Sequence, residues 1–290
     1  MNLEVPAHRP VRVTAPDGVA VSAQVFEPAP GAERGVDLLF LHGFSQSHRS
    51  WLRQLQGPLA RRHRIVTYDL RGHGASDKPD DDASYQESPR WAGEVRAVIE
   101  QTGLVKPVVV AWSYAGRILL DYVGAYGDRG LSGMVMANAT SKTDPQVMGP
   151  AAAFLRGMCD DDPEVALDAT RGLLAACVAR PLPDDEFAFM LEFNQQVLPG
   201  IRRHLRRPAG HYGTVLRSIR VPVLVIHGRL DPINQVAMAE YTTSHIPGAQ
   251  LLLYDDVAHM PFWEDPRRFD ADVATFLAQV EARRPAIHAS

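Results

Sequence analysis

From Gly35 onward the chain is a succession of short, continuously apolar runs separated by segments with helical spacing. The runs fall at 36–41, 64–70, 107–111, 131–137, 221–227 and 250–254. A strand with one wet face alternates apolar and polar residues, whereas a continuous apolar run predicts a strand buried on both faces. That is the signature of a parallel sheet covered by helices. Helices are expected around 46–61, 88–102, 115–126, 235–245 and 263–283. In the last of these, Phe269, Val273, Phe276, Leu277 and Val280 recur at helical spacing. Upstream, the runs 11–14 and 19–26 flank Pro16-Asp17-Gly18 and predict two antiparallel strands joined by a turn. The expected fold class is α/β, a mostly parallel central sheet flanked by helices.

One interval breaks the rhythm. More than 80 residues separate the run 131–137 from the run 221–227, far beyond an ordinary crossover. Prolines at 145, 150, 163, 181, 183, 199 and 208 divide it into several helical pieces. The expected organisation is a core domain of residues 1–140 and 214–290, with a helical cap inserted over 141–213. Apolar residues such as Phe154, Leu155, Met158, Leu173, Phe189 and Phe193 are expected mostly to join cap to core, with some facing a substrate cavity.

A chain of 290 residues, 46% of them apolar, readily supplies the core such a domain needs. The net charge of -4 leaves no basic footprint for nucleic acid. No apolar stretch approaches the roughly 20 residues that span a bilayer, and the start Met1-Asn2-Leu3-Glu4-Val5-Pro6 does not read as a signal peptide. Cys159 and Cys177 fit buried small hydrophobes in a reducing compartment. The expected location is cytoplasmic. The expected partner is a small-molecule substrate, not nucleic acid or membrane, with a homodimer left open.

Four strand ends carry the chemistry. The strand 107–111 runs into Trp112-Ser113-Tyr114-Ala115-Gly116 and then a helix. A turn this tight strains the residue at its tip and requires small neighbours. Ala111, Ala115 and Gly116 are small, so G-x-S-x-G is met in relaxed form. Taken alone, Ser113 is equally readable as a serine capping the next helix. The run 36–41 ends in His42-Gly43-Phe44, a loop able to offer a backbone N–H to an oxyanion. The run 221–227 ends in Gly228-Arg229-Leu230-Asp231, and 250–254 is followed by Ala258-His259-Met260. Functional groups collect at such carboxyl ends in open α/β sheets. A serine hydroxyl needs a base to take its proton, a histidine suits that task near neutral pH, and a carboxylate fixes the imidazole tautomer. Asn138 follows the preceding strand, which leaves Asp231 as the acid. His42 is read as structural.

These segments resemble the α/β-hydrolase superfamily over nearly the whole chain. The resemblance rests on Leu41-His42-Gly43-Phe44, Tyr68-Asp69-Leu70-Arg71-Gly72-His73-Gly74-Ala75-Ser76, Ala111-Trp112-Ser113-Tyr114-Ala115, His227-Gly228-Arg229-Leu230-Asp231 and Ala258-His259-Met260-Pro261-Phe262. Trp51 and Glu264-Asp265-Pro266 add to it. Within the superfamily it looks most similar to small esterases and cofactor-free haloperoxidases with a helical cap. The resemblance implies the α/β-hydrolase fold and a triad of Ser113, Asp231 and His259. It also implies an oxyanion hole from the N–H groups of Phe44 and Tyr114, with no metal or organic cofactor. His73 has no catalytic role in this reading. Trp112, Phe44 and Met260 are expected to line the substrate pocket. The cluster Arg202, Arg203, Arg206 and Arg207 reads as a solvated helix face, with attraction of an anionic substrate as the alternative. The implied activity is hydrolysis of a small or medium apolar ester or lactone. Carbon–carbon bond hydrolysis, peracid formation or a lyase reaction with the same triad, and a ligand-binding sensor on the same scaffold, are the alternatives.

Overall fold

The computed structural model describes residues 3–208, 210 and 212–283. The end of the expected core domain, 284–290, lies outside them, as does His211. Each apolar run becomes a strand within two residues of its expected bounds. The strands are β1 (Arg9–Thr14), β2 (Ala20–Phe26), β3 (Leu38–Leu41), β4 (Ile65–Asp69), β5 (Val108–Trp112), β6 (Gly133–Ala137), β7 (Val223–Gly228) and β8 (Gln250–Tyr254). They form one eight-stranded sheet in the order β1-β2-β4-β3-β5-β6-β7-β8. β2 pairs antiparallel with β1 and β4, and every other pairing is parallel.

The continuous apolarity follows from burial on both faces. Along β5, Val109 and Ala111 join one core cluster while Val108, Val110 and Trp112 join the other. The first face is covered by the helices Ser88–Thr102 and Ala115–Tyr126, through Trp91, Val95, Ile118 and Leu119. The second is covered by Pro266–Ala282, through the predicted stripe Phe269, Val273, Phe276 and Leu277. Local signals set these helix ends. Gly103, at φ 72°, closes Ser88–Thr102 with its N–H on the carbonyls of Ile99 and Glu100. The Asp265 side chain caps Pro266–Ala282 by accepting from the Arg268 N–H.

One expected helix is not continuous. The stretch 46–61 forms a 3-10 turn at His48–Trp51 and two short helices, Leu52–Leu55 and Leu59–Arg62. Gly57-Pro58 is the interruption, because Pro58 has no N–H to continue the ladder.

Between β6 and β7 the chain is helical, with Pro163–Ala176, Asp184–Gln195, Pro199–His204 and Gly213–Ser218 as the main pieces. Pro163 and Pro199 stand in first turns, where a missing N–H leaves no bond unmade. Leu174, Phe189, Met190 and Phe193 pack into the second core cluster and join these helices to the sheet. Among the described residues, no helix is long and apolar enough to cross a membrane.

The topology makes room for a site. From β3 the chain moves outward to β4, then returns past β3 to β5 and continues to β6. The connections after β3 and β5 therefore diverge, leaving a crevice beyond their carboxyl ends.

Candidate active site

Ser113 occupies the tip of the turn from β5 into the helix Ala115–Tyr126, with φ at 53°. A non-glycine residue in this left-handed region is strained and persists only where its surroundings hold it. Here the Ser113 N–H donates to the Ala137 carbonyl at 3.1 Å, and the Ser113 carbonyl accepts from Gly116 at 2.9 Å and Thr140 at 2.8 Å. Gly116 has no room for a side chain: a Cβ there would sit 2.8 Å from the Ala139 Cβ and the Thr140 carbonyl. Ala111 and Ala115 are fully buried, so the two positions that usually carry glycine accept a methyl group.

The Ser113 Oγ lies 2.8 Å from the His259 Nε2, and the His259 Nδ1–H donates to the Asp231 Oδ2 at 2.7 Å. Asp231 also accepts from the Ile233 and Asn234 N–H groups on Oδ1 and from the Asn138 Nδ2 on Oδ2. Burial would raise the Asp231 carboxyl, but His259, His227 and Asn138 outweigh it and hold the group below its usual range. It is therefore a carboxylate at neutral pH. The His259 backbone is fixed as firmly as its ring. Its N–H donates to the Cys177 carbonyl at 3.0 Å and its carbonyl accepts from the Trp112 Nε1 at 2.9 Å. On either side of it, the Ala258 and Met260 N–H groups donate to the Glu264 carboxylate. The Glu264-Asp265-Pro266 segment thus acts on the histidine loop.

The loop after β3 is braced by two neutral histidines. Burial pushes His42 down to about 4 and His73 down to about 3. The His42 Nδ1–H donates to the Gly43 carbonyl while its Nε2 accepts from the Leu70 N–H. His73 donates to the Arg71 carbonyl and accepts from the Ser45 N–H. Each ring uses one nitrogen as donor and the other as acceptor, which fits the neutral form and a structural role. Behind the same loop, Arg202 is buried and, among the described residues, forms no ion pair with a carboxylate. It donates to the Ser45 Oγ, the Thr170 Oγ1 and the carbonyls of Met158 and Asn194, and burial pulls it down to about 10. The arginine cluster is a solvated face only in part: Arg203 and Arg206 are exposed, whereas Arg202 and Arg207 are buried, Arg207 against Asp121 at 2.6 Å.

Ser113, His259, Gly43, Phe44 and Tyr114 share one cavity of about 500 Å³, whose apolar wall includes Met148, Leu155, Leu173, Leu205 and Ile233. Among the described residues, the N–H groups of Phe44 and Tyr114 donate to no other protein group. Trp112 and Phe44 line the cavity; Met260 does not. The Met260 side chain is fully buried in the core cluster with Trp51 and Phe262, because the turn that aims His259 at Ser113 sends the next residue inward. Cys159 and Cys177 are unpaired and buried. Cys177 borders the cavity, but burial and the nearby Asp231 raise its thiol well above the usual range, so it is no rival nucleophile. Two contributors were given no role from the sequence. Asn138 orients Asp231, and Asn234 donates to the Asn138 carbonyl and the Thr140 hydroxyl. The parallel register, which sets Trp112 beside Ala137, is what brings Asn138 next to Ser113.

A strained serine hydrogen-bonded to a histidine, which is in turn hydrogen-bonded to a buried carboxylate, at the carboxyl ends of a mostly parallel sheet, defines a hydrolase-type site. The model of the alpha/beta hydrolase family matches residues 38–272, and the chain belongs to that family. Among solved structures, a Burkholderia cenocepacia protein assigned as an aryl esterase is 33% identical, with a TM-score of 0.89, covering 95% of this chain and 100% of its own. An esterase from a Rhodococcus species is 30% identical, with a TM-score of 0.86, covering 93% of this chain and 99% of its own. The non-heme chloroperoxidase of Streptomyces lividans is 26% identical over 286 residues, which are 91% of this chain and 98% of that protein.

Proposed function

We propose that the protein is a carboxylic-ester hydrolase that works through an acyl-enzyme on Ser113, acting on a small or medium ester or lactone. The observation that carries this reading is the unbroken hydrogen-bonded chain from Ser113 through His259 to Asp231, opening on the cavity of about 500 Å³. In this reading His259 takes the Ser113 proton as the oxygen attacks the ester carbonyl, then passes it to the leaving alcohol. Water, deprotonated by the same imidazole, then releases the acid and restores Ser113. The N–H groups of Phe44 and Tyr114 receive the oxyanion of both tetrahedral intermediates. The helical segment 141–213 acts as the cap that selects the substrate. The assignment of the 30–33% identical neighbours as esterases supports the choice of an ester.

The test is turnover of 4-nitrophenyl butyrate by the Ser113→Ala protein. The expected loss in kcat is about six orders of magnitude, as when a triad serine is removed elsewhere. Turnover near that of the unaltered protein would overturn the assignment. The likeness to a chloroperoxidase favours a second reading, in which hydrogen peroxide replaces water in attacking the acyl-enzyme and a peracid leaves. Peracid formation from acetate and hydrogen peroxide distinguishes the two.

A further inference from the structure

The cavity above Ser113 has a charge that ester hydrolysis does not call for. Arg117, Arg156, Arg206 and Arg207 all line it, and among the described residues no aspartate or glutamate does. Only Arg207 is neutralised, by Asp121. Among the described residues, Arg117, Arg156 and Arg206 form no ion pair. Arg117 stands four residues beyond Ser113 on the helix Ala115–Tyr126, and it donates to the Pro208 carbonyl. It is 5% exposed and Arg207 is 8% exposed, yet the Nε–H of each has no hydrogen-bond partner among the described residues. Buried polar groups are ordinarily satisfied, and an unmet guanidinium N–H calls for an acceptor. Arg156 and Arg206 reach the same space from the segment between β6 and β7, and both are exposed. The positive lining is local, because the chain as a whole carries a net charge of -4.

We propose that the substrate is an anionic ester, one bearing a free carboxylate that Arg117, Arg156 and Arg206 hold while its ester carbonyl sits on Ser113. The inference rests on the proposed ester hydrolysis and narrows its substrate class. Water cleaves one ester bond, releasing an acid and an alcohol, and the free carboxylate passes through unchanged. The carboxylate is carried on either the acyl or the alcohol side, since both portions of the ester enter the same cavity.

Three substrates separate the cases: neutral 4-nitrophenyl butyrate, 4-nitrophenyl hemiglutarate with the charge on the acyl side, and 4-butyryloxybenzoate with the charge on the leaving group. Spontaneous hydrolysis is subtracted from each. The expected result at low salt is a kcat/KM for one charged ester about tenfold or more above that of the butyrate, shrinking as sodium chloride is added. In the Arg156→Gln/Arg206→Gln protein the ratio of charged to neutral kcat/KM falls about tenfold. A ratio at or below one for both charged esters, or a ratio the double substitution leaves unchanged, overturns the proposal. Calorimetric titration of the Ser113→Ala protein with the three esters reads the same preference without turnover. Equal affinity for charged and neutral esters there overturns the anionic class alone. Tight binding of a charged ester that the unaltered protein does not hydrolyse overturns the esterase reading instead.

Discussion

Asp231 meets a donor from each side: backbone N–H groups on Oδ1, and His259 with Asn138 on Oδ2. In the proposed mechanism such a carboxylate both fixes the imidazole tautomer and balances the charge that His259 gains in the transition state. Asp231→Asn keeps the shape and removes both effects. The expected outcome is a fall in kcat/KM on an activated ester of about four orders of magnitude, with the melting temperature measured alongside to show a folded protein. Retention of more than a tenth of the activity would mean that another group orients His259. Ser113, Asp231 and His259 were legible in the sequence because each follows an apolar run that has to end at one edge of the sheet. Asn138 was legible only as the residue that is not an acid. Its place beside Ser113 depends on β6 pairing with β5, and linear sequence does not contain strand order. Arg202 was misread for a related reason. The helix Pro199–His204 is too short to show a dry face by periodicity, so a buried cation held by four neutral acceptors looked like one more surface charge.

Among the elements, the turn from β5 into Ala115–Tyr126 is tightly constrained. The Gly116 Cα sits so close to Ala139 and Thr140 that any side chain must push the helix away from the end of β6. Gly116→Ala is therefore expected to lower stability by about 1–3 kcal/mol through overpacking, and to lower kcat because Ser113 moves with the helix. Thermal denaturation and ester turnover check the two effects separately. A variant as stable and as active as the parent would show that the contact relaxes without moving the serine. The relaxed motif, with Ala111 and Ala115, is explained at this scale: both methyl groups enter the core, and the close approach falls on Gly116 alone. The helix expected over 46–61 failed for an equally local cause, the Gly57-Pro58 break, which the apolar spacing on either side concealed.

For the molecule as a whole, the sequence carries the sheet well and the interior polar groups poorly. Continuous apolar runs translate directly into strands buried on two faces, whereas a buried charge is invisible until its neighbours are known. Asp270, on the outer helix Pro266–Ala282, is such a group: burial pushes its carboxyl up to about 7, with the Gln54 amide as its donor. In the unfolded chain the same carboxyl ionises near its ordinary 3.8. The folded state therefore holds the extra proton, and the stability this contributes is present at low pH and lost as pH rises through about 7. Asp270→Asn should raise the melting temperature relative to the parent more at pH 8 than at pH 5. An equal change at both would mean that Asp270 is already ionised in the folded protein. The central claim concerns Ser113 itself, and a fluorophosphonate probe tests it most directly, because it captures only a serine activated as a nucleophile. After reaction of the folded protein, peptide mass spectrometry is expected to find one adduct, on Ser113, with labelling abolished in Ser113→Ala and strongly slowed in His259→Ala. A folded protein that takes no label, or takes it on a different residue, would contradict the account.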